Sequence, residues 1–179
     1  MRVINIFDEI NEETAKPILE KIIQYTIENE QIESENQYIA QDFRTELEPI
    51  MINICCPGGS AYHGFGIIDA LKDSGSRIIT KAFGHVASMG FGLFLAGDTR
   101  LAGKHTKFLY HGCSGVVEGT APQIAEYLRE QNDINQQFKD FIYEQGCTVD
   151  EDILDRFLDN GTDFVFDYET AKKYNIVTE

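Results

Sequence analysis

The stretch with the clearest potential for covalent chemistry is residues 84–90, which read Gly-His-Val-Ala-Ser-Met-Gly. A strand is predicted to end at Gly84, and small residues then lead the chain into a helix. Ser88 therefore lies at or near a predicted helix N-terminus, where free N–H groups and the helix dipole stabilise developing negative charge. An acyl-transfer nucleophile needs such donors around its oxyanion. A serine here is also commonly a simple helix cap, so this stretch alone leaves both roles open.

Two further features favour the role of Ser88 as an acyl-transfer nucleophile. Residues 57–59, Pro-Gly-Gly, follow a predicted buried strand, and adjacent glycines let backbone N–H groups face a ligand. His111 closes a later predicted strand and precedes a glycine-rich segment, so its ring could reach a neighbouring loop. The structural alternatives are a tight turn at 57–59 and a packed, hydrogen-bonded histidine. Catalytic triads are recognised by geometry and not by sequence position, so Ser88 and His111 are compatible with one.

Other nucleophile candidates are weaker. Cys113 is only two residues from His111 along a strand, which is too close for Cys113 to act as a nucleophile with His111 as its base. Ser114 lies in Gly-Cys-Ser-Gly, which differs from G-x-S-x-G because the second glycine follows the serine directly. Cys55 and Cys56 are adjacent in a predicted buried strand, which indicates core positions.

Cofactor motifs are absent from the sequence. The segment 97–104 has one residue too many between its glycines for a phosphate loop, and no stretch matches G-x-G-x-x-G. The four cysteines form no C-x-x-C pair, and His63, His85 and His105 lack metal-ligand spacing. We therefore expect no metal and no cofactor.

The elements that must position these residues alternate along the chain. Buried apolar strands separated by helical patterns predict an α/β fold with a mostly parallel sheet. Residues 31–48 hold five acids and one arginine, which predicts an exposed insertion in a single domain spanning 1–179. Thr148 to Glu151 has the capping-box form, and Asn160-Gly161 is predicted to end the helix that follows. The predicted strands are 2–7, 50–56, 77–83, 106–111 and 164–166, and the other predicted helices are 12–30, 61–73, 88–96, 121–145 and 168–174.

Length and charge limit the class of protein. A chain of 179 residues with 42% hydrophobic content suits one globular domain. The formal net charge of −15 disfavours binding to nucleic acid or to an anionic membrane. The start lacks a signal-peptide pattern, and the longest mainly apolar run, 82–97, is too short and polar to span a bilayer. We therefore expect a cytoplasmic protein with reduced thiols.

Three motifs, and their order along the chain, resemble those of the Clp protease proteolytic subunit, a family of serine peptidases. They are 56–59 (Cys-Pro-Gly-Gly), 84–90 and 109–111 (Leu-Tyr-His). The family's third catalytic residue is an aspartate before an aromatic residue, with a tyrosine eleven places later. Asp163 precedes a phenylalanine here, and Tyr174 follows at that distance.

The resemblance implies a role for each of these residues. Ser88 would be the nucleophile, His111 the general base and later the general acid, and Asp163 the acid that orients the histidine. Asp167 is the nearest alternative acid in the sequence. The implied function is a serine endopeptidase that cleaves peptides or unfolded proteins.

The resemblance also implies the surroundings of the triad. The backbone N–H groups of Gly59 and Met89 would hold the oxyanion. The segment after His111 would offer an edge on which an extended peptide pairs as an added strand. The family usually has Gln-Pro after this histidine, whereas this chain has Gly112-Cys113, which puts the shape of that edge in question.

Fold and assembly follow from the same resemblance. It covers Arg2 to the C-terminus except residues 31–48, and implies the Clp/crotonase-like α/β spiral with a protruding handle helix at 121–145. Homo-oligomerisation in stacked heptameric rings around a chamber is implied, and we expect handle residues to supply apolar contacts between chains. The chain starts near the family's first core strand, so we expect weak or altered coupling to an unfoldase ATPase. The handle residues expected to supply the apolar contacts between chains are Ile134, Phe138 and Phe141.

Alternatives with the same fold remain open from the sequence. One is a crotonase-fold protein that binds an acyl thioester, and another is an assembly protein without peptidase activity. Such acyl-thioester chemistry does not need Ser88, His111 and Asp163 together. A phage capsid-maturation protease is a third reading, since the insertion indicates a divergent branch.

Overall fold

The computed structural model describes residues 2–159 and 161–179. Strands and helices alternate through most of this part of the chain, which confirms the predicted α/β class. The strands are β1 (Arg2–Ile6), β2 (Ile50–Ile54), β3 (Ile78–Ala82), β4 (His85–Ala87), β5 (Thr99–Ala102), β6 (Lys107–Tyr110) and β7 (Phe164–Asp167). The α-helices are α1 (Glu12–Asn36), α2 (Ala61–Asp73), α3 (Met89–Leu95), α4 (Ala121–Glu144), α5 (Glu151–Asp159) and α6 (Tyr168–Lys173), with a 3-10 turn at Gln41–Phe43.

The strands form two sheets and not the single sheet that the sequence predicted. The larger sheet is parallel, with the order β1-β2-β3-β5. The smaller sheet joins β4 to β6 in parallel and β6 to β7 in antiparallel pairing. The sequence reading missed β4 and β5, because strands of three and four residues among glycines carry little periodicity.

Helix α3 occupies the space between the sheets, and all seven of its residues are buried. It contacts β3 of the larger sheet and β4 and β6 of the smaller one. The absence of a side chain at Gly64 lets α2 approach α3, because a Cβ there would collide with Met89. A short apolar helix in this position places its N-terminus where the two sheets meet.

Three apolar side chains of helix α4 are buried within the chain, whereas the handle prediction placed them between chains. Ile134, Phe138 and Phe141 are each at most 9% exposed, so they are buried in the chain's own core. The Phe138 ring lies 5.5 Å from the ring of Tyr110, centroid to centroid. The expectation that these residues supply contacts between chains is therefore wrong. Leu128, in the exposed first half of the helix, is an apolar residue of α4 that does face outward.

Other predicted boundaries shift at the exposed ends of helices. Helix α1 continues to Asn36, six residues into the segment that was predicted to be an insertion. Helix α5 begins at Glu151, with the Asp150 carbonyl accepting its first hydrogen bonds, and the Glu151 carboxylate bonds Lys139 at 2.9 Å. The predicted capping box at Thr148 is therefore wrong. The predicted stop at Asn160 lies outside the described residues.

None of the helices within residues 2–159 and 161–179 combines the length and apolarity that crossing a bilayer requires.

Candidate active site

Ser88 lies in the turn between β4 and α3, in a backbone conformation that non-glycine residues rarely adopt. Its φ of 51° and ψ of −125° place it in a strained region, which costs on the order of 1–3 kcal/mol. The Ser88 N–H donates to the Leu109 carbonyl at 2.9 Å, and the Ser88 carbonyl accepts from Phe91 and Gly92. The backbone is thus held on both sides, while the side chain makes no capping hydrogen bond. Ser88 therefore does not act as the helix cap that the sequence left open as an alternative.

Residues 57–60, called the glycine loop below, approach Ser88 from the end of β2. Gly58 and Gly59 have φ values of 108° and 133°, and a Cβ on Gly58 would lie 2.6 Å from the Ser88 Cβ. Ile10 clamps the loop from the other side, because its N–H donates to Gly58 and its carbonyl accepts from Ser60, both at 2.7 Å. These contacts require glycine at both positions.

The two backbone N–H groups expected to hold an oxyanion are available in this arrangement. Within residues 2–159 and 161–179, neither Gly59 nor Met89 donates its N–H to another backbone carbonyl. Both residues line the same cavity as Ser88. Met89 is also the first residue of α3, so its N–H belongs to the positive end of that helix.

The pairing of β6 with β7 brings His111 and Asp163 together. Tyr110 faces Phe164 in the antiparallel register, so the residue after the first and the residue before the second become neighbours. The distance between His111 Nδ1 and Asp163 Oδ1 is 3.3 Å, with the two side chains 32% and 55% exposed. A carboxylate at Nδ1 orients the ring and leaves Nε2 for proton transfer.

Asp167, the alternative acid, serves a different purpose. It lies at the other end of β7, facing Lys107 in the register. Its carboxylate accepts hydrogen bonds from the Thr170 N–H at 3.0 Å and the Thr170 hydroxyl at 2.9 Å, which lower the pKa of Asp167. This residue caps α6 and does not contact His111.

Ser88 and His111 line one cavity of about 270 Å³. Asp163 does not line it, which suits a residue that acts through the histidine ring. Helices α2 and α4 supply much of the remaining wall. The further lining residues include Tyr62, Tyr127, Gln131, Ile134 and Phe138.

The sequence reading missed the contribution of α4 to this cavity. Tyr127, Gln131 and Asn135 all line it and recur every four residues, which is the spacing of one helix face. Asn135 Oδ1 also accepts a hydrogen bond from the Cys113 N–H at 2.7 Å. This bond ties the segment after His111 to α4. The four-residue spacing was a signal that could have identified these residues.

Cys113 lines the cavity, although the sequence assigned it no role. The surrounding protein desolvates its thiol and raises the pKa of Cys113, so the thiol is protonated and a weak nucleophile at neutral pH. Ser114 lines the cavity beside it.

The model of the family described as Clp protease matches residues 1–179. A protein of Deinococcus radiodurans named ATP-dependent Clp protease proteolytic subunit is 26% identical over 145 residues, 80% of this chain and 70% of that protein. Proteins of the same name from Bacteroides fragilis and Pleurastrum terricola are 30% and 29% identical, over 73% and 98% of this chain. The alignments span 62% of the Bacteroides protein and 81% of the Pleurastrum protein.

Proposed function

The chain belongs to the Clp protease family, and on that premise we propose that it is a serine endopeptidase that cleaves peptides or unfolded proteins. The observation that carries the proposal is the strained Ser88 sharing a cavity with His111, whose ring lies 3.3 Å from Asp163. A fold that only needed a helix start at this point would have no reason to hold a serine in such a backbone conformation. Strain of this kind is concentrated at functional sites.

The proposed reaction is acyl transfer to Ser88 followed by hydrolysis. The Ser88 hydroxyl attacks the carbonyl carbon of a peptide bond while His111 takes its proton. His111 then gives the proton to the leaving amine, and the peptide C–N bond breaks to leave an acyl-serine ester. Water, deprotonated by His111, hydrolyses the ester and regenerates Ser88. Asp163 orients the imidazole and stabilises its charged form.

The glycine loop would stabilise the charge that develops on the carbonyl oxygen. The N–H groups of Gly59 and Met89 are the proposed donors. Preorganised donors of this kind are each worth about 10²–10³ in turnover in serine peptidases. The tight packing of Gly58 against Ser88 supports this role, since it keeps nucleophile and donors at a constant separation.

We propose that residues 112–119, called the edge segment below, bind the substrate backbone as an added strand. The cavity of about 270 Å³ would then take one substrate side chain next to the scissile bond. Its wall combines the aromatic rings of Tyr62 and Phe138 with the amide of Gln131, so it offers both apolar surface and a hydrogen-bonding group.

Assembly into stacked heptameric rings in the cytoplasm, in the Clp/crotonase-like spiral fold with α4 as the handle, is part of the proposal. The Deinococcus relative is named as an ATP-dependent subunit, which supports an unfoldase ATPase as a partner. Chains with a net charge of −15 repel one another, so the oligomer should be more complete at high salt. Sedimentation across a salt series tests this, and a monomer at every salt concentration would remove the ring.

The direct test of the reaction is hydrolysis of unstructured fluorogenic peptides without ATP. Ser88→Ala should lower turnover by at least about 10³-fold, because members of a triad act as a unit. Ser34→Ala is the matched control, since Ser34 is exposed on α1 and does not line the cavity. Peptide hydrolysis retained in the Ser88→Ala protein would end the assignment.

A further inference from the structure

Cys56 connects three segments that meet beneath the proposed active site. It follows β2 directly before the glycine loop and is fully buried. Its thiol donates to the Asp8 carbonyl at 3.2 Å and accepts a hydrogen bond from the Gly58 N–H at 3.4 Å. Its carbonyl accepts from the Ala87 N–H at 2.9 Å, one residue before Ser88. One residue therefore contacts the turn after β1, the glycine loop and the strand that ends at the nucleophile.

The space around Cys56 is closed by α3. A Cβ on Gly90 would lie 2.7 Å from the Cys56 carbonyl oxygen and 3.1 Å from its sulfur. The first turn of α3 therefore packs directly on this residue. A larger side chain at position 56 would displace either that turn or the glycine loop.

The thiol is suited to bridging the two backbone groups. Burial raises the pKa of Cys56, and it outweighs the hydrogen bond from the Gly58 N–H, which lowers that pKa. The S–H group is therefore present at neutral pH and can donate to the Asp8 carbonyl, while the sulfur accepts from Gly58. A hydroxyl prefers donor–acceptor distances of about 2.7–2.8 Å, so a serine would reach these two groups less well.

We propose that Cys56 is a positioning residue for the oxyanion donors: its thiol bridges Asp8 and Gly58 and thereby orients the Gly59 N–H beside Ser88. The inference rests on the proposed function of Ser88, and it adds a residue that acts only through the glycine loop. Cys56 itself touches neither the cavity nor the substrate.

The kinetic test compares Cys56→Ala and Cys56→Ser with Cys147→Ala. Cys147 is the matched control, because it is also buried and its sulfur lies 3.8 Å from the Asn175 carbonyl, away from the glycine loop. Cys56→Ala should lower kcat by about 10–100-fold with KM changed less than about 3-fold, since oxyanion donors act on the transition state. Cys56→Ser should lie between that variant and the wild type, at about 3–10-fold below the wild type.

A loss of kcat and thermal stability in Cys147→Ala equal to that in Cys56→Ala would overturn the inference, because the effect would then be one of core packing. If Cys56→Ala does not fold, Cys56→Ser carries the test. An unchanged kcat in a folded Cys56→Ser protein would also overturn the inference.

Hydrogen exchange gives a readout that needs no activity. In the Ser88→Ala background, adding Cys56→Ala should speed exchange of the Gly58 amide by about 10-fold or more, since that amide loses its acceptor. Unchanged exchange would overturn the bridge. If the wild type hydrolyses no peptide while exchange at Gly58 still rises, the bridge is supported and the proposed peptidase function is what fails.

Discussion

The two halves of the candidate site are built in different ways. The half with Ser88 and the glycine loop is determined by backbone geometry, with positive φ values, glycine contacts and clamping hydrogen bonds on every side. The half with His111 and Asp163 rests on one strand pairing and one contact of 3.3 Å between partly exposed side chains. The first half should therefore be sensitive to added atoms, and the second to changes of charge.

The largest expected effect comes from adding one methyl group to the rigid half. Gly58→Ala places a Cβ 2.6 Å from the Ser88 Cβ at a φ of 108°, so the loop or Ser88 must move. We expect peptidase activity to fall by about 10³-fold and stability to fall by about 1–3 kcal/mol. Peptide hydrolysis and urea unfolding measure the two effects.

Gly66→Ala is the matched control for this change. Gly66 lies in α2, and a Cβ there meets no heavy atom within 4 Å. Alanine in a helix should raise stability by about 0.5–1 kcal/mol and leave turnover unchanged. Equal activity in the Gly58→Ala and Gly66→Ala proteins would remove the distinction between the halves.

A change of charge without a change of shape tests the second half. Asp163→Asn keeps a polar group beside His111 but no longer stabilises the imidazolium or the required tautomer. We expect kcat to fall by about 10²-fold or more while thermal stability changes little. Asp167→Asn, at the cap of α6, should retain turnover. The reverse order, with Asp167→Asn as the slower enzyme, would move the third catalytic role to Asp167.

The smallest effect concerns the backbone strain at Ser88. Ser88→Gly should raise stability by about 1 kcal/mol, because glycine tolerates the φ of 51°. Ser88→Ala should leave stability within about 0.5 kcal/mol of the wild type, because the serine side chain makes no capping bond. Both variants lose activity, so urea unfolding is the measurement. A glycine variant less stable than the alanine variant would show that the turn is not strained.

Much of the fold was predictable, because its long elements carry strong patterns. The run of isoleucines in β2 and the apolar spacing of α2 and α4 indicated those elements within a few residues. Strands β4 and β5 were missed because each is short, lies close to glycines and carries no apolar run of its own. The burial of Phe138 in the chain's own core was missed because an apolar helix face does not reveal which surface covers it.

The sequence identified the residues of the candidate site but not their geometry. Ser88, His111 and Asp163 were identified through motifs whose meaning came from a family resemblance. The register that brings residue 163 next to residue 111 depends on pairing between strands 54 positions apart, which local patterns do not encode. The contacts of Asn135 and Cys56 depend on hydrogen bonds that form only in the folded chain.

The central claim is that Ser88 is an activated nucleophile, and labelling with a fluorophosphonate tests it most directly. Intact mass and peptide mapping of the folded wild-type protein should give one adduct per chain, located at Ser88. Labelling should be absent from Ser88→Ala and strongly slowed in Gly58→Ala. An unlabelled wild-type protein, or an adduct on Ser114 that persists in Ser88→Ala, would contradict the account.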